Sequence, residues 1–221
     1  MLHASATSHT GSLLYVAELL HRVRNEYAKA IATASVMASR SASRETKVAL
    51  GEVIEYLTQL AKAHQLLSPP AFEGVADLGD YLARLCNIKV STELAWRGTS
   101  LHLAVSSRIE IDSARCWRAG LIVAELITNA ERHGAASGPA KIVVSAYLDA
   151  NEVVCRVAND SFTTSMFTPG LGTYLVDELA AEIDGRIERR FDEKGVMITL
   201  SFPADSEQQN LSYIRQAATK R

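Results

Sequence analysis

The sequence predicts an α+β protein, an N-terminal helical hairpin followed by an α/β sandwich. Three observations lead there. The first third repeats apolar residues at steps of three and four, the spacing of amphipathic helices. From Val75 onward, short alternating runs interleaved with helix-like stretches replace that rhythm. Hydrophobic residues make up 48% and charged residues 22% of the 221, an ordinary globular balance that excludes a disordered chain.

Helix one is read from Val16, Leu20, Val23, Tyr27, Ile31, Ala34 and Met37. Helix two is read from Leu50, Ile54, Leu57, Ala61, His64 and Leu67. The polar run Ser39 to Arg44 turns the chain between them, and Pro69-Pro70 ends the second helix. The hairpin fills 1–70, the sandwich 71–205, and a polar tail 206–221. Each helix buries one stripe on the other, so its remaining apolar surface needs a partner. A homodimer closing a four-helix bundle is the simplest answer; packing on the sandwich is the alternative.

In the sandwich, Asp77 to Leu85 reads as a short helix, and Val90 to Trp96 and Leu101 to Val105 as strands. Asp112 is placed to cap a helix running to about His133. Strands follow at Ile142 to Leu148 and Val153 to Ala158, then a helix over Leu171 to Ile183. Arg186 to Phe191 and Val196 to Phe202 form a hairpin around Lys194-Gly195. Leu211 to Ala218 allows a short helix in the tail.

Several function classes fall away. A formal net charge of −2 gives no field for nucleic acid. No apolar run approaches the roughly 18 residues of a membrane span, and the N-terminus carries no signal-peptide pattern. Cys86, Cys116 and Cys155 are sparse, odd in number and outside any CxxC pair, which argues against disulfides or a zinc cluster. A cytoplasmic protein without nucleic-acid or membrane partners is expected.

Two constellations carry chemistry. His21 lies beside the apolar stripe of helix one, with Asn25 one turn on and Glu18 paired with Arg22. An imidazole there is largely neutral near pH 7 and is a competent nucleophile. In the sandwich, Glu125 and Asn129 share a helix face, where a carboxylate and an amide oxygen suit Mg²⁺ held against phosphate. Farther on, Pro169-Gly170-Leu171-Gly172-Thr173 enters a helix, where glycines let backbone approach an anion.

With these residues in order, the chain resembles the two-component sensor histidine kinases, in the HWE-like branch whose box reads His-Arg-Val-Lys/Arg-Asn. His21-Arg22-Val23-Arg24-Asn25 is similar to that box, Glu125 to His133 to the N box of the GHKL ATPase fold, and Gly170 to Thr173 to its second glycine box. The resemblance spans about 12–203. It implies a dimeric bundle joined to a GHKL-type ATP-binding domain. His21 would take phosphate from ATP and pass it to an aspartate of a response-regulator receiver domain. Arg22, Asn25 and Glu125 join His21 as catalytic candidates. Asn129 would ligate Mg²⁺. His133, Asn159, Asp160, Gly170, Gly172 and Thr173 would bind nucleotide with Asn129.

The chain departs from the family at its first glycine box. Asn159 stands at the adenine-binding Asp position, with Asp160 taking that place if the register slips by one, and Ser161 stands at the first Gly. Eight residues separate Ser161 from Gly170, so the segment over ATP is short. Thr173 replaces a frequent Leu, and the tryptophan of this branch near Ala146 is missing. Replacing a charged acceptor costs about 1.5 to 3 kcal/mol of binding. Three readings follow. One is a stand-alone kinase without an input domain of its own. The second is a histidine phosphotransferase relaying phosphate between response regulators without nucleotide. The third is a non-enzymatic scaffold that binds a regulator. A phosphatase role for Asn25 fits the first two.

Overall fold

The computed structural model describes residues 6–70, 74–94, 98–134, 141–160, 170–193 and 195–204, with side chains from residue 22 onward except at 93, 133 and 134. The chain forms two units, Met1–Pro69 and Pro70–Arg221. The expected tail helix over Leu211 to Ala218 lies outside the described residues.

The first unit is an α-helical hairpin of α1 (Ala6–Arg40) and α2 (Arg44–Leu66). α1 starts earlier than the apolar stripe suggests and reaches about 50 Å at 1.5 Å per residue. Ser43 starts α2 by accepting from the Thr46 N–H at 3.2 Å. The seam between the helices follows the sequence stripe: Tyr27, Ile31, Ala34, Ile54, Leu57, Ala61 and His64 are half-buried or buried. The Tyr27 hydroxyl meets His64 Nε2 at 3.2 Å across it. Met37, assigned to the same stripe, is 57% exposed, as the helix carries it past the seam.

In the second unit a five-stranded mixed sheet runs β2–β4–β5–β7–β6. Its strands are β2 (Ser100–Val105), β4 (Lys141–Asp149), β5 (Glu152–Asn159), β6 (Arg186–Asp192) and β7 (Gly195–Pro203). β2 and β4 are parallel and every other pairing is antiparallel. Two further strands, β1 (Val75–Asp77) and β3 (Glu110–Asp112), pair with each other. At three residues each, they carry too little pattern to be read from sequence.

Three helices pack on one sheet face: α3 (Leu78–Lys89), α4 (Ser113–Gly134) and α5 (Leu171–Ala181). Asp77 caps α3 through the Gly79 N–H at 2.8 Å. Asp112 caps α4 through the Ala114 and Arg115 N–H groups at 2.9 and 3.0 Å. Beneath the helices, Ile142, Val144, Ala146, Val153, Cys155, Leu200 and Phe202 are buried at every second position of their strands. Each large side chain so covered stabilises the fold by about 1.5 to 3 kcal/mol.

Over its described part, Val90–Leu94, the strand expected from Val90 to Trp96 does not form. α3 instead widens into a π-helical turn over Val90–Leu94, and Trp96 lies outside the described residues. The hydroxyls of Ser91 and Thr92 both donate to the Ile88 carbonyl, at 3.0 and 2.8 Å. The turn carries Leu94 to full burial, so core packing overrides the strand preference of Val90 and Thr92. No helix among the described residues is long and apolar enough to cross a membrane.

The three cysteines are free and buried, and burial pushes each thiol from 9.0 up to about 12. Native protein near pH 8 should therefore react with iodoacetamide at least about tenfold more slowly than protein unfolded in urea. The folded state keeps protons that the unfolded chain releases. The resulting stability is intact below pH 9.0 and is lost as the pH rises toward about 12. A urea midpoint that falls over this alkaline range checks the sign.

Candidate functional site

α4 and α5 run antiparallel, and that arrangement builds the site. At one end, Arg118 Nε meets Glu182 Oε2 at 2.5 Å. One turn earlier, Arg115 Nη2 donates to the carbonyls of Ile183 and Pro203, at 3.2 and 2.7 Å, with its guanidinium over the Phe202 ring. These contacts fix the end of α5 against the start of α4. The first turn of α5 is thereby carried beside Glu125, two turns down α4.

There the helices nearly touch. A Cβ on Gly172 would stand 2.0 Å from Glu125 Oε1. The same oxygen accepts from Asn129 Nδ2 at 3.2 Å, so the carboxylate is held from its own helix as well. Glu125 and Asn129 are both half-buried. Gly170 differs from Gly172: its φ is −112°, extended backbone, and nothing lies within 4 Å of the Cβ position. Thr173 turns back on the same corner, where its Oγ1 accepts from the Gly170 N–H at 3.4 Å. Outward from this turn, Leu171 is 88% exposed, with Tyr174 and Leu175 also exposed on that side.

The end of β5 supplies the third part. Asn159 is buried, and its Nδ2 donates to the Ala130 carbonyl of α4 at 3.4 Å. Asp160 is exposed, and its Oδ1 accepts from the Lys141 N–H at 2.9 Å. Of the two candidates, Asn159 faces the helix that carries Glu125 and Asn129, while Asp160 prolongs the pairing with β4. β7 supports this corner at Gly195, whose φ is +131° and whose Cβ position lies 2.0 Å from the Asn159 carbonyl oxygen. In the sequence Gly195 reads only as a hairpin residue, because the Asn159 carbonyl it packs against is 36 positions away.

Glu125, Asn129, Asn159, Gly170, Gly172 and Thr173 thus gather at one end of α4. His21 lies on α1, but its side chain is not among those described; Arg22 and Asn25 are exposed on the same helix. The His133 side chain and Ser161 also lie outside the described residues. Missed from sequence is Lys89, at the end of α3, whose Nζ meets Thr128 Oγ1 at 2.9 Å beside Asn129. A lone lysine closing a helix carries no signal for that contact.

No protein-family model matches the sequence, and no curated protein is significantly similar to it. Solved structures are. The histidine kinase domain of the Erythrobacter litoralis EL346 blue-light activated histidine kinase covers 85% of this chain and 98% of its own, at 17% identity and a TM-score of 0.57. The Acinetobacter baumannii histidine kinase AdeS covers 84% and 97%, at 14% identity and a TM-score of 0.52. The ATP binding domain of PrrB from Mycobacterium tuberculosis covers 61% and 98%, at 20% identity and a TM-score of 0.51. The fold is that of a histidine kinase domain.

The glycines of this corner should respond differently to a methyl group. Gly170→Ala is expected to change unfolding free energy by less than about 0.5 kcal/mol. Gly195→Ala, strained in φ and meeting backbone, should cost about 3 kcal/mol. Urea midpoints of the two variants beside the parent check this.

Proposed function

We propose that this chain is a two-component histidine kinase of the HWE-like kind, acting as a homodimer. His21 takes the terminal phosphoryl group of ATP and passes it to an aspartate of a response-regulator receiver domain. The observation that carries this reading is the approach of Gly172 to Glu125, which Asn129 bonds, with Asn159 of β5 reaching the neighbouring Ala130 carbonyl of the same helix.

The residues present suit the groups that the reading requires. The Asn129–Glu125 bond uses the amide nitrogen, leaving the amide oxygen and the carboxylate as hard donors for Mg²⁺. Among the described residues, no group of three or more His, Cys, Asp or Glu side chains is arranged to hold a metal. A cation here would therefore share phosphate oxygens and water, as Mg²⁺ commonly does. When bound, the nucleotide supplies the transferable phosphoryl group. Asn159, whose amide nitrogen bonds Ala130, would accept from the base with its amide oxygen, and the first turn of α5 would offer N–H groups to phosphate. On the helical hairpin, Arg22 and Asn25 follow His21 on α1 and are exposed, accessible to a receiver domain. Exposed Val36, Met37, Val48, Val53 and Tyr56 give the hairpin apolar surface for a second copy.

Purified protein with γ-labelled ATP and Mg²⁺ should acquire acid-labile label, and His21→Ala should lose it entirely. Absence of label at millimolar ATP from folded protein would count against the kinase. The neutral Asn159 favours a second reading, a phosphotransferase charged by a phosphorylated regulator without nucleotide. In that case a labelled regulator, and not ATP, labels His21.

Asn159→Asp separates the two further. The variant gives up the Ala130 contact, long at 3.4 Å and worth at most about 1 kcal/mol. It gains a charge-assisted bond worth about 1.5 to 3 kcal/mol. On the kinase reading, ATP affinity should rise about threefold to thirtyfold by calorimetry; an unchanged or weaker affinity removes Asn159 from the base site.

A further inference from the structure

α5 buries one face and leaves a second apolar face in water. Val176, Leu179 and Ala180 are buried, as the inner side of a surface helix requires. Leu171, Tyr174 and Leu175, at steps of three and four on the side turned away, are exposed. Glu178 and Glu182 prolong that outer stripe, and no lysine or arginine occurs from Leu171 to Gly185. Asp177 bonds Arg189 and Glu182 bonds Arg118, while Glu178 is exposed between them. The outer face is therefore apolar over its first turn and acidic toward its end. Gly172 lies on the inner side, toward Glu125, so this face is distinct from the corner described above.

The chain carries a segment of matching pattern and opposite charge. It falls within 205–221, outside the described residues. In sequence, Leu211, Ile214 and Ala218 share one helical face, Arg215 and Arg221 flank it, and Asn210 is placed to cap its start. The point of departure suits it. The Arg115 guanidinium holds the carbonyls of both Pro203 and Ile183, so the chain leaves β7 beside the acidic end of α5. The Ala204 N–H is tied to the Asn151 carbonyl at 2.8 Å. With eleven residues, α5 is about 16 Å long. Residues 205–210, extended, reach about 20 Å. That span brings Leu211 to the exposed first turn. A helix returning from there in the direction of α5 sets Leu211 and Ile214 on Leu171, Tyr174 and Leu175. It also brings Arg215 and Arg221 alongside Glu178 and Glu182.

We propose that the segment 205–221 folds back as a helix over the outer face of α5 in the same chain. Apolar surface leaves water on both partners, and the flanking charges are of opposite sign. This docking does not depend on the kinase reading.

Hydrogen exchange of the full chain, read by mass spectrometry on peptides covering 211–218, tests it. In the parent at low salt, those amides should exchange at least about tenfold more slowly than in the same peptide free in solution. Leu175→Ser and Ile214→Ser, one on each side of the contact, should each bring exchange to within about twofold of the free peptide. Unfolding temperatures near that of the parent show that the sheet and its helices are intact. Glu178→Lys, a surface change that spares the fold, should cut the protection by about threefold at low salt. Adding Arg215→Glu to Glu178→Lys should restore it, which a tail helix formed without α5 would not do. Parent amides that exchange at the free-peptide rate overturn the proposal. So does protection that survives both Leu175→Ser and Glu178→Lys, since the tail then lies elsewhere. Protection that grows with protein concentration assigns this face to a second copy and overturns docking within one chain.

Discussion

The geometry of the candidate site in the second unit depends on how closely α5 is allowed to approach α4. Three contacts set that distance. The Arg118–Glu182 pair and the Arg115 bonds to Ile183 and Pro203 close one end, and the bare backbone of Gly172 against Glu125 closes the other. The ion pair is partly exposed, with side-chain accessibilities of 21% and 49%, and contributes no more than about 1 kcal/mol of stability. Its value lies in register. A shift of one helical turn would bring Leu175 or Val176 to Glu125 in place of Gly172, and the carboxylate would meet a side chain. Burial of Val176 and Leu179 supplies the adhesion, while the charged contacts and the glycine select one alignment.

The same approach explains why the other parts of the site fall where they do. α4 places its sheet-facing side on β5, which brings the Ala130 carbonyl to Asn159 in the last residue of that strand. The next face round the helix carries Glu125 and Asn129 toward α5. One helix therefore meets both α5 and the end of β5, and Gly195 packs against that strand end at the Asn159 carbonyl. A change in the angle of α4 would move Glu125 and Asn129 together and break the contact of Ala130 with Asn159.

Much of this was legible in the sequence where the signal was local and periodic. Asp112 before a 3.6-residue rhythm marked α4, and the alternation through Ile142, Val144 and Ala146 marked β4. The pairing of Glu125 with Asn129 follows from helical spacing alone. What could not be read is set by distant partners. Gly170 and Gly172 are equivalent in a motif, yet only one has a neighbour that a methyl group would strike. Asn159 and Asp160 are one residue apart, and the pleat of β5 sends them to opposite sides. Val90 and Thr92 are good strand residues, but Leu94 is buried only if the chain keeps turning.

The first unit poses the opposite problem. Its sequence pattern was clear, but the pattern does not close a core. α2 has no buried residue, and Ala34 is the one buried position among the described side chains of the hairpin. Ordering each residue costs about 1 to 2 kcal/mol of backbone entropy, and most helical stability in proteins comes from tertiary packing of an apolar face. A seam made mostly of half-buried side chains offsets only part of that cost. Meanwhile Val36, Met37, Val48, Val53 and Tyr56 hold apolar surface in water along both helices. A two-helix seam can cover one stripe per helix and no more; a four-helix bundle covers the flanks of that stripe as well. Among the described side chains, both helices keep apolar surface exposed outside their shared seam, and the proposed dimer rests on that surface and not on any role of His21.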